Sequence, residues 1–320
     1  MGHQGQGDRA FTAKSLYGMG SEATYAGALS FMRRKYTRDL AGVDVAVLGV
    51  PLDTATSNRP GARFGPAGIR AASAMIAWGK VWPWGIDPFE KLAVIDYGDC
   101  VFDYGRPEQA PDAITAQAKA ILESGASLLS LGGDHFVSHP LLRAHRAVHG
   151  PLALVHFDAH SDTWRDDPKP GAPARIDHGT MFFHSAREGL VDPACSVQVG
   201  IRTHNDETHG FTVLDAEQVH RRGTEAITAE IKRVVGQRRA YLTFDIDCLD
   251  PGCAPGTGTP VAGGLSTAQA QAILRGLRDL DIVGMDIVEV APPYDVSQIT
   301  ALAAVHLAAD YLCLRALRKG

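Results

Sequence analysis

The sequence predicts an α/β fold, a single-domain three-layer α/β/α architecture built around an eight-stranded, mostly parallel sheet. Eight short runs rich in Val, Ile and Leu are nearly continuously apolar, as expected for parallel strands that are covered on both faces. Segments with helical spacing of apolar residues lie between most of these runs. Alternation of strands and helices in this way is typical of a doubly wound sheet.

The predicted elements follow one another through most of the chain. The predicted strands are residues 43–50, 92–98, 127–133, 152–158, 196–201, 211–216, 240–246 and 282–290. The predicted helices are residues 66–78, 113–123, 140–148, 224–235, 267–280 and 297–317, the first of which begins with Gly-Pro, a favourable first turn. No low-complexity linker divides them, so we expect one catalytic domain over 41–320. Residues 1–40 lie outside this rhythm and are predicted to be an N-terminal extension packed on the domain or on a neighbouring subunit.

Composition excludes several classes of protein. The chain has 320 residues, 45% of them hydrophobic, and a net charge of −5, and Lys/Arg runs do not exceed two or three residues, so nothing favours a nucleic-acid partner. Five scattered cysteines favour free thiols in a reducing compartment. The chain start lacks the apolar core of a signal peptide, and no stretch approaches ~18 continuous apolar residues. We therefore expect a cytoplasmic protein without a membrane partner.

Three acidic motifs, each at the end of an apolar run, carry the functional signal: LGGDH (131–135), VHFDAHSD (155–162) and LTFDIDCLDP (242–251). The groups they offer are two imidazoles and four carboxylates: His135, Asp158, His160, Asp162, Asp245 and Asp247. Like charges brought together in a partly dry site resist ionising, and a pair of divalent cations removes that repulsion. The motifs therefore predict a binuclear metal site, the kind that turns bound water into hydroxide at neutral pH.

The position of these residues supports the same interpretation. Open parallel sheets bind ligands beyond the carboxyl ends of their strands. His135 closes the third run, Asp158 the fourth, Asp245 and Asp247 the seventh, and Glu289 the eighth. Mixed imidazole and carboxylate ligation favours Mn²⁺ over a thiolate-seeking metal, with Zn²⁺, Fe²⁺ and Ni²⁺ as open alternatives.

Each motif also has a structural alternative. DAHSD could be a charged loop in which Asp162 caps the next helix. GGDH could make a tight turn, with Asp134 orienting a ligand. For Asp245 the structural alternative is weak, because an acid inside an apolar strand that bound no metal would be buried and unpaired. We interpret Asp250, before a proline, as a turn former and Cys248 as a packing residue.

GGDH, DAHSD and FDIDCLDP, followed by DIVEVAP, resemble the signature motifs of the ureohydrolase family, which comprises arginases, agmatinases and their relatives. The resemblance runs from about Val43 to Leu317 and implies an arginase-like fold. GARFGPAGIR (61–70), DHGTMFF (177–183), VGIRT (199–203), FTVLDA (211–216), APGTGTPVAGGL (254–265) and ITALAA (299–304) are most similar to bacterial agmatinases.

The resemblance implies two Mn²⁺ ions per subunit. The implied ligands of one ion are His135, Asp158, Asp162 and Asp245, and those of the other are His160, Asp158, Asp245 and Asp247, so that Asp158 and Asp245 bridge. Glu289 matches the acid that pairs with the substrate guanidinium, His178 matches a proton-shuttling histidine, and Asp162 is a plausible proton carrier. The implied activity is hydrolysis of agmatine to putrescine and urea by a homo-oligomer, a trimer or a hexamer.

Two alternatives stay open: a related enzyme acting on a guanidino acid such as 4-guanidinobutyrate, and a non-catalytic metal-binding relative. A carboxylate-ended substrate should need a cation at the pocket rim. The loop Thr163–Asp177 is longer than expected and carries three prolines, and Arg165, Lys169 or Arg175 could supply that cation. The remaining histidines of interest are expected to be structural or on the surface: His139, His145, His149, His156, His184 and His209.

Overall fold

The fold is a single parallel sheet between two layers of helices, seen in a computed structural model that describes residues 7–18, 22–77, 79–166 and 176–319. The strands of the described residues are β1 (Lys35–Tyr36), β2 (Val45–Val50), β3 (Val94–Asp99), β4 (Ser127–Gly132), β5 (Ala153–Phe157), β6 (Val197–Val199), β7 (Thr212–Leu214), β8 (Arg239–Asp245) and β9 (Asp281–Val288). Every pairing between them is parallel, in the order β1-β3-β2-β4-β9-β8-β5-β6-β7.

All eight predicted strands are present, and the fold class is confirmed. The described sheet has nine strands instead of eight, because the short β1 adds to the edge beside β3. With two residues and no apolar run, β1 gives no periodic signal that sequence analysis could detect.

The helices of the described residues are α1 (Arg9–Thr12), α2 (Gly65–Ser73), α3 (Pro88–Lys91), α4 (Ala110–Glu123), α5 (Ser138–His149), α6 (Met181–Arg187), α7 (Ala216–Val235), α8 (Thr267–Gly276) and α9 (Ile299–Lys319). Successive strand residues point to opposite faces of the sheet. In β2, Val45 and Val47 belong to one core with α7, α8 and α9, whereas Ala46 and Leu48 belong to a second core with α4 and α5. Because both faces are buried, the strands read as continuous apolar runs.

Helix α7 begins at Ala216, earlier than the predicted start at residue 224. Asp215 caps it by accepting a hydrogen bond from the Gln218 amide at 2.7 Å, and Gly223 interrupts the helical backbone with φ 78°. The first half exposes several polar residues, so its apolar spacing is too weak to reveal the true start.

In the described part of residues 1–40, hydrogen bonds hold the segment together and join it to the sheet. The guanidinium of Arg33, which is buried, donates to the backbone carbonyls of Ala23, Thr24, Ala26 and Ala28. The amide of Phe31 donates to the Asp96 carboxylate on β3 at 2.7 Å. The division into an extension (1–40) and a catalytic domain (41–320) stays a prediction.

Helix α9 is long and apolar enough, by length and composition alone, to cross a membrane, and no other described helix meets that test. In this fold 78% of its apolar window is buried. The helix packs against α2, α3 and α8, as the core helix of a globular domain does.

Candidate metal centre

The predicted site residues lie at the carboxyl ends of four strands that are neighbours in the sheet. β4, β9, β8 and β5 are adjacent in that order. They deliver His135, Glu289, Asp245 and Asp158 respectively to one edge, in the crevice where parallel sheets bind ligands. A short 3-10 turn after β8, Ile246–Cys248, then carries Asp247 to the same edge.

The first group is centred on Nδ1 of His135. This atom lies 2.9 Å from Oδ2 of Asp158, 2.9 Å from Oδ2 of Asp162 and 3.2 Å from Oδ2 of Asp245. All four side chains are buried, yet Nδ1 has no hydrogen-bond partner of correct geometry among the described residues. An imidazole nitrogen with three carboxylate oxygens around it, and no hydrogen bond to any of them, fits a divalent cation between these atoms.

The second group is formed by Asp158, His160 and Asp247, whose ligand atoms lie close enough to hold a second ion. Nδ1 of His160 is 3.3 Å from Oδ1 of Asp158 and 3.1 Å from Oδ2 of Asp247. The Thr259 hydroxyl donates to the same Asp247 oxygen at 3.1 Å. Asp158 belongs to both groups, one oxygen facing each.

Electrostatics in the cluster shows why cations belong there. Burial raises the pKa of Asp162 to about 6 and that of Asp245 well above its usual range, and the neighbouring carboxylates add to both shifts. Burial would lower the pKa of His135 and of His160, but their carboxylate contacts outweigh it, so that the pKa of His160 rises to about 12. The buried carboxylates are therefore stable as anions only beside positive charge. Divalent ions provide that charge while the imidazoles stay neutral.

His156, which we expected to be structural, lies inside the first group. Its Nε2 is 2.7 Å from Oδ2 of Asp158, and its Nδ1 accepts from the Gln198 side-chain amide at 3.1 Å. Gln198 therefore fixes the proton of a neutral His156 on Nε2, where it is donated to Asp158. The signal was available in sequence, since His156 precedes Asp158 by two residues in an extended segment and so shares its side.

Glu289 and Asp162 both adopt the left-handed backbone region, with φ 62° and 51°. Non-glycine residues in this region carry strain, which concentrates at functional sites. Oε1 of Glu289 accepts from the His135 amide at 2.9 Å, while Oε2 is buried with no partner among the described residues. Glu289 thus presents an unsatisfied carboxylate oxygen beside the metal-binding groups.

His178 lies between Glu289 and Ser57. Its Nδ1 is 3.1 Å from Oε1 of Glu289, and its Nε2 accepts from the Ser57 amide at 2.9 Å, with the Ser57 hydroxyl at 2.8 Å. Burial lowers the pKa of His178, but the Glu289 carboxylate outweighs it and raises the pKa to about 9. The Ser57 amide, which can only donate, opposes a proton on Nε2. The Glu289 carboxylate favours the protonated ring and the Ser57 amide favours the neutral ring, so His178 is suited to taking up and releasing a proton.

The groups open onto a cavity of about 920 Å³. His160, Asp162, Asp245 and His178 line it. Its apolar wall is formed by Ala55, Pro107, Pro111, Phe136, Trp164 and Ile176. Of the predicted rim cations, Arg165 lines the cavity and lies 3.6 Å from Glu207, whereas Lys169 and Arg175 fall outside the described residues.

The loop that carries Ser57 was not predicted from the sequence. Asp134 anchors it, because its Oδ2 accepts from the Ala55 amide at 2.8 Å. Gly133 allows the approach, since a Cβ there would collide with the backbone of Leu52. The GGDH motif thus positions the loop as well as His135. Cys248 is buried in the core, and Asp250 accepts from the amides of a turn, both as predicted.

The chain is similar to known proteins in both sequence and structure. A model of the arginase family matches residues 43–313. An agmatinase of Chromobacterium violaceum is 59% identical over 314 residues, which cover 98% of this chain and 96% of that protein. A crystal structure of a hypothetical agmatinase from Burkholderia thailandensis superposes with a TM-score of 0.95 and is 59% identical, covering 98% of both chains. The proclavaminate amidino hydrolase of Streptomyces clavuligerus gives a TM-score of 0.85 at 40% identity, covering 92% of this chain and 99% of that one.

Proposed function

We propose, because this chain belongs to the arginase family, that it hydrolyses the guanidinium group of agmatine to give putrescine and urea. One observation supports the proposal most directly. Glu289 presents an unsatisfied carboxylate oxygen at the same strand edge as two groups of metal-binding side chains. A guanidinium is planar and cationic, so a buried carboxylate binds it through charge-assisted hydrogen bonds.

The members of the arginase family depend on a pair of metal ions, and we propose Mn²⁺, two per subunit. The residues that would hold one ion are His135, Asp158, Asp162 and Asp245, and those that would hold the other are His160, Asp158, Asp245 and Asp247. Their mixture of imidazole and carboxylate donors suits that metal. When bound, the two ions would supply a hydroxide nucleophile at neutral pH.

The protein's own side chains perform the remaining tasks. Glu289 holds the guanidinium in place through its free Oε2. Asp162, whose pKa burial raises to about 6, is suited to carrying a proton near neutral pH. His178 exchanges protons between the site and solvent through the Ser57 hydroxyl, which lies at the exposed side of the ring. The departing amine leaves protonated by this route.

The cavity supports the choice of a substrate with an apolar chain. Its wall of Ala55, Pro107, Pro111, Phe136, Trp164 and Ile176 suits the four methylene groups of agmatine. Among the described lining residues, Arg165 is the single Lys or Arg, and it is paired with Glu207. A guanidino acid such as 4-guanidinobutyrate would need a cation for its carboxylate, whereas agmatine, which has no carboxylate, would need none.

Urea release after reconstitution with Mn²⁺ tests the proposal. We expect hydrolysis of agmatine and much slower hydrolysis of arginine and 4-guanidinobutyrate. No urea from any of the three would favour a non-catalytic metal-binding protein. We further propose a cytoplasmic homo-oligomer, a trimer or a hexamer, on family resemblance; light scattering coupled to gel filtration would measure its mass.

A further inference from the structure

A second carboxylate, that of Asp286 on β9, is buried behind His135. Asp286 is fully buried, and no Lys or Arg in the described part of the chain forms an ion pair with it. Hydroxyl groups satisfy it instead: Thr243 donates to Oδ1 at 2.6 Å, and Tyr241 and Ser138 donate to Oδ2 at 2.7 and 2.8 Å. All three donors are also fully buried.

The sheet register creates this arrangement. β8 pairs with β9 so that Thr243 lies directly beside Asp286. Tyr241 precedes Thr243 by two residues on β8 and therefore points to the same face. Ser138 opens α5, just after the 3-10 turn that begins at His135. The carboxylate thus lies where two strands and the start of a helix meet.

Counting hydrogens assigns the direction of each hydrogen bond. The Thr243 hydroxyl has one hydrogen, and it is donated to the Asp286 carboxylate, which can only accept. The Thr243 oxygen lies 2.8 Å from Nε2 of His135, so it accepts the Nε2 hydrogen. A neutral His135 then carries its lone pair on Nδ1. That is the atom facing Asp158, Asp162 and Asp245.

We propose that Asp286 is a positioning residue of the metal centre, acting through Thr243 to keep the Nδ1 lone pair of His135 directed at the first metal-binding group. The proposal rests on the proposed ligation of metal by His135. Burying a carboxylate without a cation is unfavourable, and an apolar side chain would stabilise the fold more simply. A role in orienting His135 as a metal ligand explains why a carboxylate is buried at this position.

His156 provides a comparison for the hydrogen bonds of His135. Both histidines border Asp158 and both carry their proton on Nε2, but they turn different nitrogens towards that carboxylate. Gln198 donates to Nδ1 of His156 and leaves its Nε2–H directed at Asp158. Thr243 accepts from Nε2 of His135 and leaves Nδ1 free to bind a cation. The surrounding residues, more than proximity, therefore distinguish the proposed ligand from its neighbour.

The test measures Mn²⁺ affinity of the metal-free protein, from the free Mn²⁺ signal in electron paramagnetic resonance. Thr243→Val keeps the shape but removes the oxygen, and we expect one of the two equivalents of Mn²⁺ to lose about 10–100-fold in affinity. Thr243→Ser keeps the hydroxyl group and should bind Mn²⁺ as tightly as the wild type does. Asp286→Leu should resemble Thr243→Val, because it removes the oxygen that accepts the Thr243 hydrogen and so releases that hydroxyl from its fixed orientation towards His135.

Tyr241→Phe is the matched control. It removes an equally buried hydrogen bond to the same carboxylate but leaves the path from Asp286 through Thr243 to His135 intact. It should lower thermal stability and leave Mn²⁺ affinity within a few-fold. Wild-type affinity in Thr243→Val, or equal losses in Thr243→Val and Tyr241→Phe, would overturn the proposal. Should Thr243→Val not fold, Asp286→Leu against Tyr241→Phe makes the same comparison.

This experiment requires no substrate, so its outcome is separate from that of the proposed activity. If agmatine is not hydrolysed but Thr243→Val still loses Mn²⁺, the positioning role is supported and the proposed activity is rejected. If the wild type hydrolyses agmatine and Thr243→Val keeps its Mn²⁺ affinity, the reverse holds.

Discussion

Nδ1 of His178 lies 3.1 Å from Oε1 of Glu289, although 111 residues separate them in the chain. The contact joins the residue proposed to move protons to the residue proposed to hold the guanidinium. Ser57 on the far side of the ring completes a path from Glu289 to solvent. If both residues act as proposed, binding of the cation and transfer of the proton would be coupled through one imidazole.

The bridging role of two aspartates can be tested by metal content. Asp158→Asn or Asp245→Asn should lose bound metal together with activity, because each carboxylate is proposed to touch both ions. His135→Asn removes a proposed ligand of one ion, and excess Mn²⁺ should partly rescue the variant. Asp250→Asn, in the same motif as Asp245 but bonded to turn amides, is the control. Two ions per subunit retained in the Asp158 or Asp245 variant would contradict the assignment.

His178 should matter for proton transfer and not for metal binding. His178→Asn should keep two ions per subunit and lose ~10²–10⁴-fold in turnover, the usual range for a general acid–base group. Steady-state kinetics and metal analysis of the same preparation provide the measurement. Full activity, or loss of the metal, would remove the shuttle from the mechanism.

Glu289→Gln keeps the shape and a hydrogen-bonding end of the side chain but removes its charge. It should leave both ions bound and lower kcat/KM for agmatine by ~10²-fold or more, which corresponds to about 3 kcal/mol of lost transition-state stabilisation. Metal analysis is the control. A kcat/KM close to that of the wild type would mean that another group holds the guanidinium.

Substrate choice should follow from the charge of the cavity. The wild type should prefer agmatine to arginine and to 4-guanidinobutyrate, since both competitors carry a carboxylate and Arg165 is already paired with Glu207. The ratio of kcat/KM values measures this preference. Comparable values for agmatine and 4-guanidinobutyrate would reject agmatine as the specific substrate and leave the ureohydrolase mechanism standing.

His145 should make the fold sensitive to acid. Burial lowers its pKa to about 4 in the folded protein from 6.5, and its Nδ1 donates to the Leu141 carbonyl at 2.8 Å. The unfolded chain therefore binds the extra proton between pH 6.5 and about 4. The stability contribution is complete above pH 6.5 and declines as the pH falls, by about 2 kcal/mol on going from pH 7 to pH 5.

His145→Gln, which keeps a donor for Leu141 but does not titrate, should lose less stability over that interval than the wild type. Urea denaturation of the metal-free proteins at both pH values gives the difference. His204→Gln, at an exposed position, should behave as the wild type does. Equal pH dependence in the wild type and His145→Gln would show that His145 does not titrate on unfolding.

The strands and the candidate ligands were predictable for a physical reason that is local. Buried parallel strands must be apolar throughout, so eight of them stand out as runs, and acids at their ends cannot be explained as packing. His135, Asp158, Asp245 and Glu289 lie where the runs predicted them. The start of α7 at Ala216 was missed because a solvent-facing half-helix has little apolar periodicity.

The sequence by itself thus determined the fold class, the strand ends and the chemistry concentrated there. Tertiary structure alone decided that β9 lies between β4 and β8, which brings Asp286 beside Thr243 and Glu289 above His135. It likewise decided that Ser57 meets His178. A hydroxyl in a strand or a loop has no distinctive pattern in sequence, because its role depends on which distant group the strand order and register place within hydrogen-bonding distance.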